Sequence, residues 1–503
     1  MNIKKEKLWE TLWYLAVFAF FCIWFAKIHP LVIYDADDWT YVAYVRSAAP
    51  MWGGWNPAKV FPEVLFPFFS GIILHTLVPL TGDYITGMAA GHALVVSGFI
   101  TVYAWSLVAL LRRSFALSRL ASILAGTLFL VFHFLIFRTE DIGNSYMFHC
   151  RDINCYYNYL LPALLNAILL MHMVKNPRFD AFVKEAEPAK IGIFYILVYF
   201  AIFSNLVTSG MLAAFAGSCL LLSLLKNIKK FKLTDYIRQN NVWLVILAMW
   251  FVSAIFELSG GRATASSTMS LQLIHEVAYF LKLILFGANP LFWISVFTIV
   301  ILALLQFLLT RNKDEAETAL MQILVPLSVA GAALLIYMLA ICAMVWTGSI
   351  YRSEYQFPLL CYGLVAVFVA LGYLLKKQPK LMYVLPLLII FLASDTNTMG
   401  KTFSDSLMSN YGAEVCADVS RDIVRQYTEA DEAGLDQVTI AVPQHVADPE
   451  TTDNWPHSLV LLHRIGDALY EQGVISRQIP TTFVIDSALN QKYNIPIPVP
   501  VED

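Results

Sequence analysis

Lysine and arginine fall in six clusters separated by long apolar stretches, and this alternation constrains the fold more than any other feature of the chain. The clusters are Lys4, Lys5 and Lys7; Arg112, Arg113 and Arg119; residues 175–190; residues 226–238; Arg311 and Lys313; and residues 376–380. Basic residues accumulate on the cytoplasmic side of membrane proteins, so all six are expected there. An even number of crossings must then join any two clusters, and each intervening stretch is a hairpin with its tip on the far side. The composition agrees: 58% hydrophobic residues, 14% charged and a mean hydropathy of +0.63 lie far from those of soluble chains. The net charge of −3 is spread over separated loops, so no basic field for a nucleic acid is expected.

Eleven apolar segments fit this scheme, roughly residues 12–28, 84–111, 120–137, 157–174, 191–206, 208–225, 242–257, 290–310, 319–346, 357–375 and 381–394. The first follows a basic start as a signal peptide would, but it is long and lacks a small-residue cleavage site, so an uncleaved span is expected. Residues 64–80 also look like a span, yet a crossing there would place Arg112 and Arg113 outside. Pro62, Pro67 and Pro79 interrupt regular helix in this stretch, which is therefore read as re-entrant or interfacial. An undetected short crossing is the rival reading. The expected fold is thus an all-α polytopic membrane protein of about eleven transmembrane helices with a re-entrant first-loop segment.

Outward-facing loops follow at residues 34–63, 138–156, 204–209, 258–287 and 346–356. After Asp395 the chain becomes polar. Residues 437–443 and 481–485 read as strands and 458–472 as an amphipathic helix, so residues 396–503 are expected to form a small extracytoplasmic α/β domain beside a transmembrane domain of residues 1–395. No internal repeat is visible, which weakens a transporter built from inverted halves.

The first outward loop opens with Tyr34-Asp35-Ala36-Asp37-Asp38-Trp39, three carboxylates in four positions. Like charges that close need a compensating cation, donor or proton, which makes the cluster a site candidate, although a solvated acidic loop is the plain alternative. The same loop holds Lys59, Glu63 and the tryptophans Trp39, Trp52 and Trp55, read as interfacial belt residues ahead of sugar platforms. The second loop contains His149-Cys150-Arg151-Asp152 and Cys155, where a local disulfide is favoured over a metal site. Arg262 in the fourth loop and Arg352, next to Tyr351, in the fifth sit at the ends of separate spans, where an arginine fork suits a phosphate and a snorkelling charge or salt bridge is the even alternative.

A first span followed by an outward loop that opens on an aspartate pair, with arginines in late outward loops, resembles the GT-C class of integral-membrane glycosyltransferases. The likeness is closer to bacterial members that glycosylate surface polysaccharides, including the O-antigen glucosyltransferase type. The resemblance implies transfer of a sugar from a polyprenyl phosphate carrier to a glycan or lipid-linked acceptor at the outer face of a bacterial cytoplasmic membrane. It implies an inverting displacement with an aspartate of the first-loop motif as base, and Asp37 and Asp38 are the matching positions; Asp35 blurs the register. On this reading Arg262, Arg352 and Lys59 would hold the donor phosphate, and Asp35, Glu63, His149, Arg151, Asp152 and Tyr351 would line the acceptor site or pocket. Members of the class differ in metal dependence; no cofactor is firmly implied and a divalent cation stays open.

The residues support the same chemistry separately. A single displacement needs a carboxylate near the nucleophile and cations on the departing phosphate, and a lipid phosphate leaves without an added acid. The rivals are a polysaccharide polymerase or ligase and a flippase or transporter of a lipid-linked saccharide. The latter expects ionisable residues at mid-membrane. The spans carry mainly His92, His133 and His172, each read as a packing residue.

Overall fold

The computed structural model describes residues 3–33, 35–44, 57–136, 146–176, 179, 183, 185–258, 275, 277–278, 289–310, 314–344, 353–395, 412–444 and 455–496. In chain order its helices are α1 (Ile3–Ile23, continued by a π turn to Ile28), α2 (Ala36–Ala43), α3 (Phe66–Thr76), α4 (Val78–Thr81), α5 (Tyr84–Phe115) and α6 (Arg119–Leu135). There follow α7 (Ile153–Val174), α8 (Pro188–Ile202), α9 (Leu206–Asn227), α10 (Leu233–Gln239) and α11 (Asn241–Leu258). The bundle closes with α12 (Pro290–Leu309), α13 (Glu315–Met344), α14 (Ser353–Lys377) and α15 (Leu385–Ala393). The protein is a multi-pass, all-helical membrane protein with a small appendage at its C-terminal end.

Each of the eleven apolar segments corresponds to a helix, but they differ in reach. Among the described residues seven helices are long and apolar enough to cross a membrane, and eight if the pair α10 and α11, bent by 82°, counts as one span. The rest are shorter: at 1.5 Å per residue, α6, α8 and α15 extend only about 26, 22 and 14 Å against a hydrocarbon core of roughly 30 Å. The expected eleven apolar segments are thus all helical, and α6, α8 and α15 are the short ones among them. Hydropathy marks apolar segments; it does not mark where a helix stops and a loop dips towards mid-depth.

Charge contacts define one end of the bundle. Glu10 binds Arg112 at 2.7 Å and Arg119 at 2.9 Å. Lys377 binds Asp314 at 2.8 Å and the buried Glu317 at 2.6 Å. Gly372 of α14 lies against Leu111 and Phe115 of α5, so both groups share this end. At the opposite end Trp39 stacks on Tyr84 with ring centroids 5.8 Å apart, and the Trp24 indole N–H donates to Phe148 O at 2.8 Å.

The proline-bearing stretch rises along α5 without crossing. Phe61 packs on Phe99, Ser70 bonds His92 at 3.1 Å, Ile73 lies on Gly91, and Val78 lies on Gly87. A Cβ at Gly87 or Gly91 would strike those neighbours, so glycine permits the close approach. Phe61 therefore stands about 22 Å down α5 from the level of Tyr84, by the helical rise over the intervening residues. Val60 N–H donates to Phe203 O at 3.1 Å, where the short α8 has just ended.

The appendage comprises α16 (Ala413–Glu432), β1 (Val438–Val442), α17 (Leu459–Glu471), β2 (Thr481–Ile485) and α18 (Ser487–Lys492). The strands pair in parallel from Val438 with Thr481 to Val442 with Ile485, and α17 forms the crossover. Ile423, Tyr427, Ile440, Leu462 and Ile465 are buried in its core. Both strands and α17 match the sequence expectation, with Ser458 as the α17 N-cap; α16 was not foreseen.

Candidate functional site

The acidic motif forms the first turn of α2, and most of its carboxylates are engaged in building it. Asp35 is the N-cap: its Oδ1 accepts from Asp38 N–H at 2.9 Å, while Asp35 N–H donates back to Asp38 Oδ2 at 3.4 Å. Asp38 is fully buried and its Oδ1 also accepts Asn154 N–H at 2.7 Å. That bond ties α2 to the opening of α7. Asp152 caps the same opening, accepting Cys155 N–H at 2.9 Å, and Val32 N–H donates to Arg151 O at 3.0 Å. Asp37 is exposed on the first turn and takes part in none of these bonds.

Burial, and then the Asp152 carboxylate, raise the Asp35 carboxyl from its ordinary range to about 8. At neutral pH Asp35 is therefore a proton donor, whereas a base has to be ionised. Within the motif, burial and the Asn154 bond separate Asp38 from the exposed Asp37 by position.

Below the cap lies a buried cation. The Arg151 guanidinium donates to His29 Nδ1, with Nε at 3.3 Å and Nη2 at 3.2 Å, and His29 Nε2 lies 2.7 Å from His149 O. An N–H at Nε2 and a lone pair at Nδ1 satisfy both contacts. Burial, reinforced by Arg151, lowers His29 to about 3, and burial lowers His149 to about 4, so both imidazoles stay neutral at physiological pH. Burial also lowers the Arg151 pKa.

The structure brings together Asp35, Asp37, Asp38, His149, Arg151 and Asp152 of the residues expected from sequence. Lys59 and Glu63 lie deeper, 3.9 Å apart beside the Val60–Phe203 contact, with Lys59 in the left-handed backbone region at φ 55°. Arg262, Arg352, Tyr351, Trp52 and Trp55 lie outside the described residues. Trp39 is corrected: it is fully buried against Tyr84 and forms neither an interfacial belt nor an open platform. The expected Cys150–Cys155 disulfide is also corrected, since both cysteines are buried and no disulfide joins them. Cys155 sits in the first turn of α7, while Cys150 Sγ is directed at Asp152 O at 3.5 Å. Among the described residues no three His, Cys, Asp or Glu side chains converge as a cation site would require.

Sequence reading missed His29 and the contacts by which the appendage reaches α2 and α5. A polar residue closing the first span, six positions before Asp35, was the available signal for the former. For the latter there was none. Gln472, just past α17, accepts the Tyr84 hydroxyl at 2.6 Å and donates to Val42 O at 2.9 Å, while Arg421 binds Asp83 at 3.1 Å. The appendage thus clamps the end of α2 onto the start of α5.

No family model matches the sequence, and no curated protein matches it. Among solved structures the chain is similar to the oligosaccharyltransferase of Archaeoglobus fulgidus crystallised with zinc and sulfate, at 13% identity and a TM-score of 0.37. The match covers 83% of this chain and 55% of that one, so the chain spans about half the length of that protein.

Proposed function

We propose that this protein is a membrane glycosyltransferase that moves a sugar from a polyprenyl phosphate carrier to a glycan or lipid-linked acceptor at the extracytoplasmic face of a bacterial cytoplasmic membrane. The observation that carries the reading is the exposed Asp37 carboxylate on a turn pinned by Asp38 to the loop that holds Arg151. A base is thereby fixed on the same scaffold as a cation. In the reaction the acceptor oxygen bonds to the anomeric carbon as the bond from that carbon to the phosphate oxygen breaks. The hydroxyl proton passes to Asp37 and the electron pair leaves on the phosphate, with inversion. Cations near the departing phosphate stabilise the growing charge, the part proposed for Arg262 and Arg352; Lys59, beside Phe61 and well down α5 from Asp37, is too far from this base to share it, and Arg151 belongs to the acceptor pocket. Asp35, protonated at neutral pH, is suited to donate a hydrogen bond to a sugar hydroxyl. Glu63, His149, Asp152 and Tyr351 complete the assigned pocket. Residues 1–395 would carry the chemistry and residues 396–503 would border the acceptor side.

The deep Lys59–Glu63 pair favours one second reading, movement of a lipid-linked saccharide across the bilayer, because ionisable groups at mid-depth mark transport paths. Purified protein incubated with radiolabelled polyprenyl-phosphate sugars and a lipid-linked glycan acceptor separates the two. Label in the acceptor, lost on Asp37→Asn, supports transfer. Redistribution of intact labelled carrier across vesicles without a glycosylated product would replace it with transport.

A further inference from the structure

A lipid-facing groove of about 390 Å³ lies at the basic end of the bundle, remote from α2. Its walls are α5, α7 and α8, with Trp105, Ile168, Phe179, Phe194 and Leu197 among the lining side chains. Trp105, Ile193 and Leu197 are exposed on the outside of the bundle, so the groove opens sideways to lipid rather than into the protein. Phe179 closes its floor, with ring centroids 5.4 Å from Phe194 and 5.7 Å from Trp243. Ser106, the hydroxyl in the lining, is already bonded to Val102 O at 2.8 Å, which leaves the walls apolar.

Cations gather at one end of this groove. Lys175 Nζ lies 5.5 Å from the Trp105 ring centroid, and Lys190 lines the rim with His172. Burial and then the charge of Arg113 lower the Lys175 pKa, which places Arg113 close by. Nearby, Arg112 and Arg119 are closed on Glu10, and Lys377 on Asp314 and Glu317. Arg113 and Lys175 have no carboxylate partner among the described residues. Lys190 meets Glu187 at 3.3 Å in an exposed pair, which is worth little and yields readily to another anion. An apolar slot open to lipid with uncompensated cations at its mouth has the charge and shape of one occupant.

We propose that this groove binds an anionic phospholipid of the surrounding leaflet, with its phosphate at Arg113, Lys175 and Lys190 and one acyl chain along Ile168, Phe194 and Leu197. The site is independent of the assigned transfer chemistry, and loss of either leaves the other standing.

The test uses the full-length protein in phosphatidylcholine vesicles doped with acyl-chain-dibrominated phosphatidylglycerol or dibrominated phosphatidylcholine, since bromine quenches indole on contact. The quenching attributable to Trp105 is the difference between wild type and Trp105→Phe. Brominated phosphatidylglycerol should produce half of that quenching at about tenfold lower mole fraction than the phosphatidylcholine, as expected for several basic residues at one headgroup. Arg113→Gln combined with Lys175→Gln should remove the preference, and Lys175→Arg should keep it. A parallel measurement needs no tryptophan variant: the detergent-purified protein should melt higher with added phosphatidylglycerol than with phosphatidylcholine, and the double glutamine variant should lose the difference. Equal responses of the wild type to the two lipids, or a preference that survives the double substitution, would overturn the proposal.

Discussion

At the basic end of the bundle the carboxylates join helices through cations, whereas at the α2 end they serve first as helix caps, Asp83 adding Arg421 to its cap bond. Glu10 and Glu317 each close on a basic side chain from a distant helix. Asp35, Asp38, Asp83 and Asp152 instead cap helix starts, accepting from Asp38, Asn154, Thr86 and Cys155 respectively. An ion pair joins two helices but leaves each free to turn about the contact; a cap fixes the direction in which a helix begins. The difference teaches that the acidic motif is mostly a device for orienting α2. What it orients is Asp37.

The sharpest way to break this contrast is to exchange the two neighbours. Asp37→Asn should lower turnover on the order of 100-fold or more with the melting temperature unchanged, as removal of a positioned base does. Asp38→Ala should act on the fold first, costing about 1–3 kcal/mol because it orphans the buried Asn154 N–H, and thermal unfolding in detergent reads it. Full activity in Asp37→Asn together with an inactive, normally stable Asp38→Ala would reverse the two roles.

At the opposite end, Glu317→Ala should cost about 3 kcal/mol in stability, since Lys377 would keep only the more exposed Asp314 as partner. Apparent donor affinity in the variant that remains folded should not move. A shift there would mean that this end also serves the chemistry.

A smaller effect is expected where the appendage meets α2. Gln472→Ala removes both the Tyr84 and the Val42 contacts, each worth about 1 kcal/mol, and should raise hydrogen exchange in residues 36–43 more than in the bundle. Uniform exchange across both regions would show that α2 does not depend on the clamp.

The smallest effect concerns pH. Asp35 holds its proton up to about 8 in the folded protein, above the range of an unfolded aspartate. A raised folded value means that the stability is complete at low pH and is lost as pH rises through about 8. Asparagine caps helices as well as aspartate does, so Asp35→Asn should keep α2 and flatten the fall in melting temperature between about pH 4 and 8. An unchanged slope would return Asp35 to an ordinary carboxylate.

The helices and the βαβ core of the appendage were legible in the sequence, because each depends on a local property. Transfer of an apolar segment into lipid and the two-residue period of a strand are decided within a dozen neighbouring residues. The acidic motif was legible as a candidate for the same reason. Its division of labour was not: Asp38 is buried through Asn154, and Asp35 keeps its proton through burial and Asp152, both more than 110 positions away. The clamp of Gln472 on Val42 spans 430 positions. Charges three apart in sequence look equivalent until the partners of each are known, and those partners are chosen by helix packing. Composition and spacing determined a membrane bundle with an acidic loop; tertiary structure decided which carboxylate was left facing solvent, because burial and hydrogen-bond supply are properties of the assembled fold.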